Sequence, residues 1–172
     1  MNEHGRKYQR GTVIRNTGHQ SNRGFTLIEL LIVVAIITIV ATIAIPNLMR
    51  TRQVADEASA IGSMRTLSSA EAEFQTSGII RDPEGMGMYG TLAELGTTEP
   101  PFVDDLLAGG LKGGYQFQVA FAGSVAGFPR YQGYAVPIIP NGSVRAFYVD
   151  ESGVITYTND GTVPNGTSLP VQ

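Results

Sequence analysis

A chain of 172 residues has room for one domain and a short appendage. Charged residues are only 16% of it, and 12 Lys and Arg against 15 Asp and Glu exclude the overall basic balance of a nucleic-acid binder. There is no cysteine, and both histidines, His4 and His19, precede Gly24, so disulfides, thiolate metal ligands and a cysteine nucleophile are excluded and imidazole chemistry is confined to the start of the chain.

Residues 1–24 carry Arg6, Lys7, Arg10, Arg15 and Arg23 against the single acid Glu3, and show no sustained helical or alternating apolar period. The stretch reads as a basic tail, and the apolar run immediately after it favours targeting over nucleic-acid binding. Phe25 to Ile45, FTLIELLIVVAIITIVATIAI, contains fourteen Phe, Leu, Ile or Val and one ionisable residue, Glu29. As a helix it spans about 30 Å, the thickness of the bilayer hydrocarbon. Its apolar residues favour insertion by about 4 to 8 kcal/mol, against about 2.5 to 3.5 for an acid even at the bilayer centre. A buried core helix is disfavoured, because a remainder of this size cannot surround a helix apolar on every face. The basic flank predicts a cytoplasmic N-terminus and an exported C-terminal part.

The apolar run lacks the small-x-small site that ends a secretory signal; the small residue instead precedes it, in Gly24-Phe25-Thr26-Leu27-Ile28-Glu29-Leu30. This stretch resembles the prepilin cleavage and methylation signature of type IV pilins and of the pseudopilins of type II secretion. The resemblance implies a basic leader cleaved after Gly24 by a membrane peptidase that also methylates the new N-terminal Phe25, with Glu29 as the fifth mature residue serving subunit assembly. Pro46 matches the family's proline at the far end of the apolar run. The resemblance further implies a pilin fold and, as partners, other copies of the chain in a helical polymer, the prepilin peptidase and methyltransferase, an inner-membrane assembly platform with its ATPase, and the bilayer before assembly. The precursor is expected in the bacterial inner membrane and the polymer at the cell surface. No cofactor, enzymatic activity or nucleic acid is implied. The lack of cysteine departs from pilins whose C-terminal loop is closed by a disulfide.

An intramembrane carboxylate is costly and calls for a cationic partner. For Glu29 the candidates are the Phe25 amine of the same chain, roughly 6 Å away along the axis, the Phe25 amine of a neighbouring subunit, or simple snorkelling to lipid headgroups.

Beyond Pro46, which is expected to kink the helix, Val54, Ala58, Ile61, Met64, Leu67, Ala70 and Phe74 recur at helical steps and predict one buried face, with Ser77-Gly78 as the stop. Residues 46–77 therefore read as an amphipathic continuation. Residues 78–114 read as a connector with short helical pieces at Leu92–Leu95 and Phe102–Leu107. Its glycine-rich stretch 85–90, GMGMYG, follows no strand and lacks a following Lys-Ser/Thr, which speaks against a phosphate loop. Residues 115–158 read as strands: Tyr115, Phe117, Val119 and Phe121 alternate; Tyr134–Val136 comes next; Asn141-Gly142 turns into Ala146–Val149; and Asp150–Gly153 turns into Val154–Thr158. The expected fold is α+β, a long N-terminal helix with a transmembrane first half, packed on an antiparallel sheet of about four strands. Residues 159–172 are expected to be a flexible polar tail.

Three constellations carry weaker signals. Asp150, Glu151 and Asp160 offer the oxygen ligands of a weak calcium candidate, or simply a solvated turn. Asp104-Asp105 with Glu94 or Glu99 reads as a solvated face rather than an acid-base pair. Asn141-Gly142-Ser143 and Asn165-Gly166-Thr167 match the glycosylation pattern by letter, but turns explain both.

Overall fold

A computed structural model describes residues 24–138 and 144–171. Residues 1–23 of the expected basic leader at 1–24 and the expected Asn141-Gly142-Ser143 turn lie outside them. The chain falls into two units, Met1–Ile43 and Ala44–Gln172. The first helix, α1 (Leu27–Ser77), contributes to both and includes Pro46. Helices α2 (Leu92–Thr97) and α3 (Asp105–Ala108) come next, then strands β1 (Leu111–Lys112), β2 (Tyr115–Val125), β3 (Phe128–Pro137), β4 (Ala146–Asp150), β5 (Thr156–Thr158) and β6 (Leu169–Pro170). The α+β architecture agrees with the expectation from sequence.

The six strands form one antiparallel sheet in chain order, two more than expected. The additions are the two-residue strands β1 and β6, too short to show a period of two. β6 falls within the C-terminal segment expected to be a tail. It pairs Leu169 with Tyr157, the Val171 N–H donates to the Ile155 carbonyl at 2.8 Å, and the Thr156 hydroxyl donates to the Asn165 carbonyl at 3.1 Å.

In the second unit, α1 buries Met64, Leu67, Ala70 and Phe74 in one core with Tyr115, Phe117, Tyr131, Ala135, Phe147 and Val149 of the sheet. Strand β3 shows why a sheet face suits this: Pro129, Tyr131, Gly133, Ala135 and Pro137 point inward at every second position. Two members of the expected apolar stripe are corrected: Val54 and Ala58 are exposed, and Ile61 is only partly buried. The buried face instead takes in Glu57, Ala60, Ser63 and Glu71. The stripe is rotated because its two acids find partners far away in sequence, and a carboxyl group held by such a partner can take the place of an apolar side chain at a helix-sheet seam.

Glu57 reaches Arg145 at the entrance to β4, with Nη2 to Oε2 at 2.7 Å and Nε to Oε2 at 2.8 Å. Arg145 also lies over the rings of Tyr157, at 5.2 Å, and Phe147, at 5.9 Å, and its carbonyl accepts from the Tyr115 hydroxyl at 2.8 Å. Glu71, fully buried, accepts the Gly90 N–H on Oε2 at 3.0 Å. The glycine-rich stretch 85–90 is thereby explained. A Cβ at Gly87 would meet the Gln75 carbonyl at 1.9 Å, and one at Gly90 would meet the Phe74 ring at 3.0 Å. The glycines let this loop lie against the end of α1, where Glu71 latches it.

Candidate functional site

The residues singled out from sequence fall at the start of α1 and around β4 and β5. Gly24, Phe25 and Thr26 precede the helix. Thr26 and Glu29 form a capping box, in which the Glu29 N–H donates to the Thr26 hydroxyl at 3.2 Å while Glu29 Oε2 lies 3.5 Å from both the Thr26 N–H and its hydroxyl. The motif T-x-x-E at 26–29 signals this cap, and the same letters at 91–94 form the box that opens α2. Glu29 thus sits in the first turn, where the helix dipole favours an anion, and its carboxylate is folded back toward the residues that precede the helix.

Gly24 is exposed, and a Cβ added there would meet nothing within 4 Å. Folding of the described chain places no demand for glycine at this position. Phe25 is 85% exposed, and the large apolar side chains from Leu27 to Met49 are exposed on every side of the helix. Among the described residues α1 is the one helix long and apolar enough to cross a membrane. A helix apolar all round has to be covered by lipid or by other protein. Pro46, one residue beyond the apolar run, is accommodated inside α1.

The acids of the calcium candidate are engaged separately. Asp150 Oδ1 accepts from the Ser152 N–H at 2.9 Å, and its Oδ2 accepts from the Tyr148 hydroxyl at 3.2 Å. Glu151 pairs with Arg130, and Asp160 accepts from the Thr162 N–H and hydroxyl at 3.1 and 2.6 Å. Among the described residues no group of three or more His, Asp or Glu is placed to hold a metal ion. Of the acids in the connector, Asp104 caps α3 through the Leu107 N–H at 2.9 Å and pairs with Lys112 at 2.6 Å, and Glu94 is spent on the cap of α2.

The family pattern described as "Prokaryotic N-terminal methylation motif" matches residues 19–45. The type IV major pilin protein PilA of Myxococcus xanthus is 49% identical over 53 residues, 31% of this chain and 24% of that protein. The type II secretion system core protein G of Klebsiella michiganensis is 41% identical over 51 residues, 30% of this chain and 36% of that protein. Its counterpart in Escherichia coli is 40% identical over 48 residues, 28% of this chain and 33% of that protein. The chain thus spans about a quarter to a third of the length of these curated relatives. No solved structure matches it. Through the methylation motif on residues 19–45 and relatives of both kinds, the chain resembles the type IV pilin and type II secretion pseudopilin family.

Proposed function

We propose that the chain is a prepilin: a membrane-anchored structural subunit, cleaved after Gly24, N-methylated on Phe25 and polymerised through the apolar part of α1 into a type IV pilus filament. The observation that carries this reading is the pairing of an all-round apolar helical stretch that has no cover among the described residues with a preceding glycine that folding does not need. The first calls for lipid and then for other subunits as cover, and the second for a peptidase as the agent that reads the glycine. The subunit performs no catalysis. Its partners are the prepilin peptidase and methyltransferase, the assembly platform with its ATPase, and further copies of itself. The precursor lies in the inner membrane with its N-terminus cytoplasmic, and the filament reaches the cell surface.

Glu29 supports this reading from the chemistry of assembly. In the single chain its carboxylate is held by Thr26 only through contacts of 3.5 Å, a hold weak enough to yield to the charged Phe25 amine of a neighbour once α1 packs among other copies. Intact-mass analysis of the protein from cells should show a chain beginning at Phe25 with one added methyl group. A retained leader, or cleavage after Ala44, would overturn the reading. Glu29→Ala should insert and be cleaved normally yet give no filaments, and a normal filament yield would reduce the carboxylate to a helix cap.

The relatives named core protein G favour a second reading, the major pseudopilin of a type II secretion system. Deleting the gene separates the two: loss of surface filaments with secretion intact fits the pilin, and loss of secreted enzymes fits the pseudopilin.

A further inference from the structure

We infer that a groove beside the membrane-proximal turns of α1 holds the headgroup of an anionic phospholipid, with the phosphodiester between Arg50 and Arg52. The groove, ≈ 540 Å³, is lined by Met49, Arg50, Arg52 and Asp56 of α1 and, across from them, by Ile138 and Val144 at the ends of the sheet strands. Arg50 and Arg52 lie five and seven residues after Ile45, which places them about 7 and 10 Å along the helix axis past the apolar run. The polar layer on each face of a bilayer is about 5–8 Å thick, so Arg50 lies within it and Arg52, just beyond it, reaches back into it with its long side chain.

The charge pattern is complementary to a phosphate. Of the basic residues after Phe25, Lys112, Arg130 and Arg145 are paired with acids, and Arg81 donates to the Gly85 carbonyl. Among the described residues Arg50, Arg52 and Arg65 make no ion pair, although the exported part of the chain has twice as many acids as bases; Arg65 lies apart from the groove, and Arg50 and Arg52 both line it. A guanidinium matches a phosphodiester with paired N–H groups. Met49 and Ile138 beside them, 67% and 54% exposed, offer an apolar rim for the glycerol end of the acyl chains. Asp56 adds an acceptor suited to a headgroup hydroxyl. A ligand that is anionic, hydroxylated and amphiphilic meets all three features at once.

This inference rests on the membrane-anchored reading of α1, and one experiment separates the two. The full chain is placed in nanodiscs of phosphatidylglycerol and phosphatidylcholine in equal parts, and native mass spectrometry counts the lipids that stay bound on ejection. Wild type should retain phosphatidylglycerol in preference to phosphatidylcholine. Arg50→Gln/Arg52→Gln should lower that preference by about thirtyfold, the scale of two interfacial arginines, while Arg6→Gln/Arg10→Gln in the leader should leave most of it. Loss of the preference in the leader variant, with none in the double groove variant, would overturn the inference. So would unchanged lipid retention in the groove variant accompanied by loss of filaments, which would make an acid of a second copy the occupant. Failure of the chain to enter nanodiscs of either lipid would instead overturn the membrane-anchored reading itself.

Discussion

Replacing Glu71 by glutamine tests how the loop after α1 is held. The side chain is fully buried. Its Oε2 accepts the Gly90 N–H, while Oε1 has no hydrogen-bond partner among the described residues. Burial, aided by the nearby charge of Glu94 and opposed by the Gly90 N–H, raises its pKa from 4.5 to about 7. A carboxyl whose folded pKa is raised stabilises the fold fully below its unfolded pKa, and that stability is lost as pH rises through the folded value. The window here runs from about pH 4.5 to about pH 7. At about 1.4 kcal/mol per pKa unit the loss amounts to roughly 3 kcal/mol by pH 8. Glu71→Gln keeps an acceptor for Gly90 but buries an amide N–H₂ in place of Oε1, which costs about 1–2 kcal/mol. The variant should therefore be more stable than wild type by about 1–2 kcal/mol at pH 8 and less stable at pH 4.5. Asp104 and Asp160, whose carboxyls are held below the usual carboxylate range chiefly by hydrogen bonds from Lys112 and Thr162, act in the opposite direction. They are common to both proteins and cancel in the difference. Urea melts in detergent micelles can be followed by near-ultraviolet circular dichroism, because six of the seven tyrosines lie between Tyr89 and Tyr157 and there is no tryptophan. A wild-type to variant difference that stays constant from pH 4.5 to 8 would refute the reasoning, since a carboxyl that does not titrate in that window is not held in a dry site.

The same melts report three further substitutions. Phe74→Ala should cost about 3–5 kcal/mol, because the ring is fully buried against Phe102 and beneath Gly90, whereas the exposed neighbour Glu73→Ala should stay within about 0.5 kcal/mol; equal, small effects would show that the buried helix face is misassigned. Glu57→Ala should cost about 2–4 kcal/mol by leaving Arg145 beside the core without its carboxylate, and a Glu57→Met/Arg145→Met double variant should regain most of that; no recovery would mean that the pair is not the link between α1 and β4. Gly62→Ala should stabilise the single chain by about 1 kcal/mol, because the added methyl meets nothing within 4 Å and glycine is a poor helix former; a loss of stability would mean that the chain itself packs against that face.

Short-range spacing encodes much of this protein. The apolar run 25–45, the Gly24-Phe25 junction and Glu29 lie within one contiguous stretch, so helix, membrane propensity and motif are legible together. Alternation likewise marks Tyr115–Phe121, and Ser77-Gly78 marks the end of α1, because each depends on a period or a turn residue a few positions long. The Thr26–Glu29 cap is equally local and is readable from T-x-x-E. Which face of α1 is buried, in contrast, depends on segments far apart in the chain. Val54 and Ala58 look like core residues and are exposed, whereas Glu57 and Glu71 look like surface residues and are buried, because their partners Arg145 and Gly90 lie 88 and 19 residues away. A carboxylate's burial cost depends on whether a donor meets it, and periodicity along one helix holds no record of that donor. The same holds for β6 and for the glycines at 87 and 90, whose need for a strand partner or for close approach arises only when distant segments are brought together.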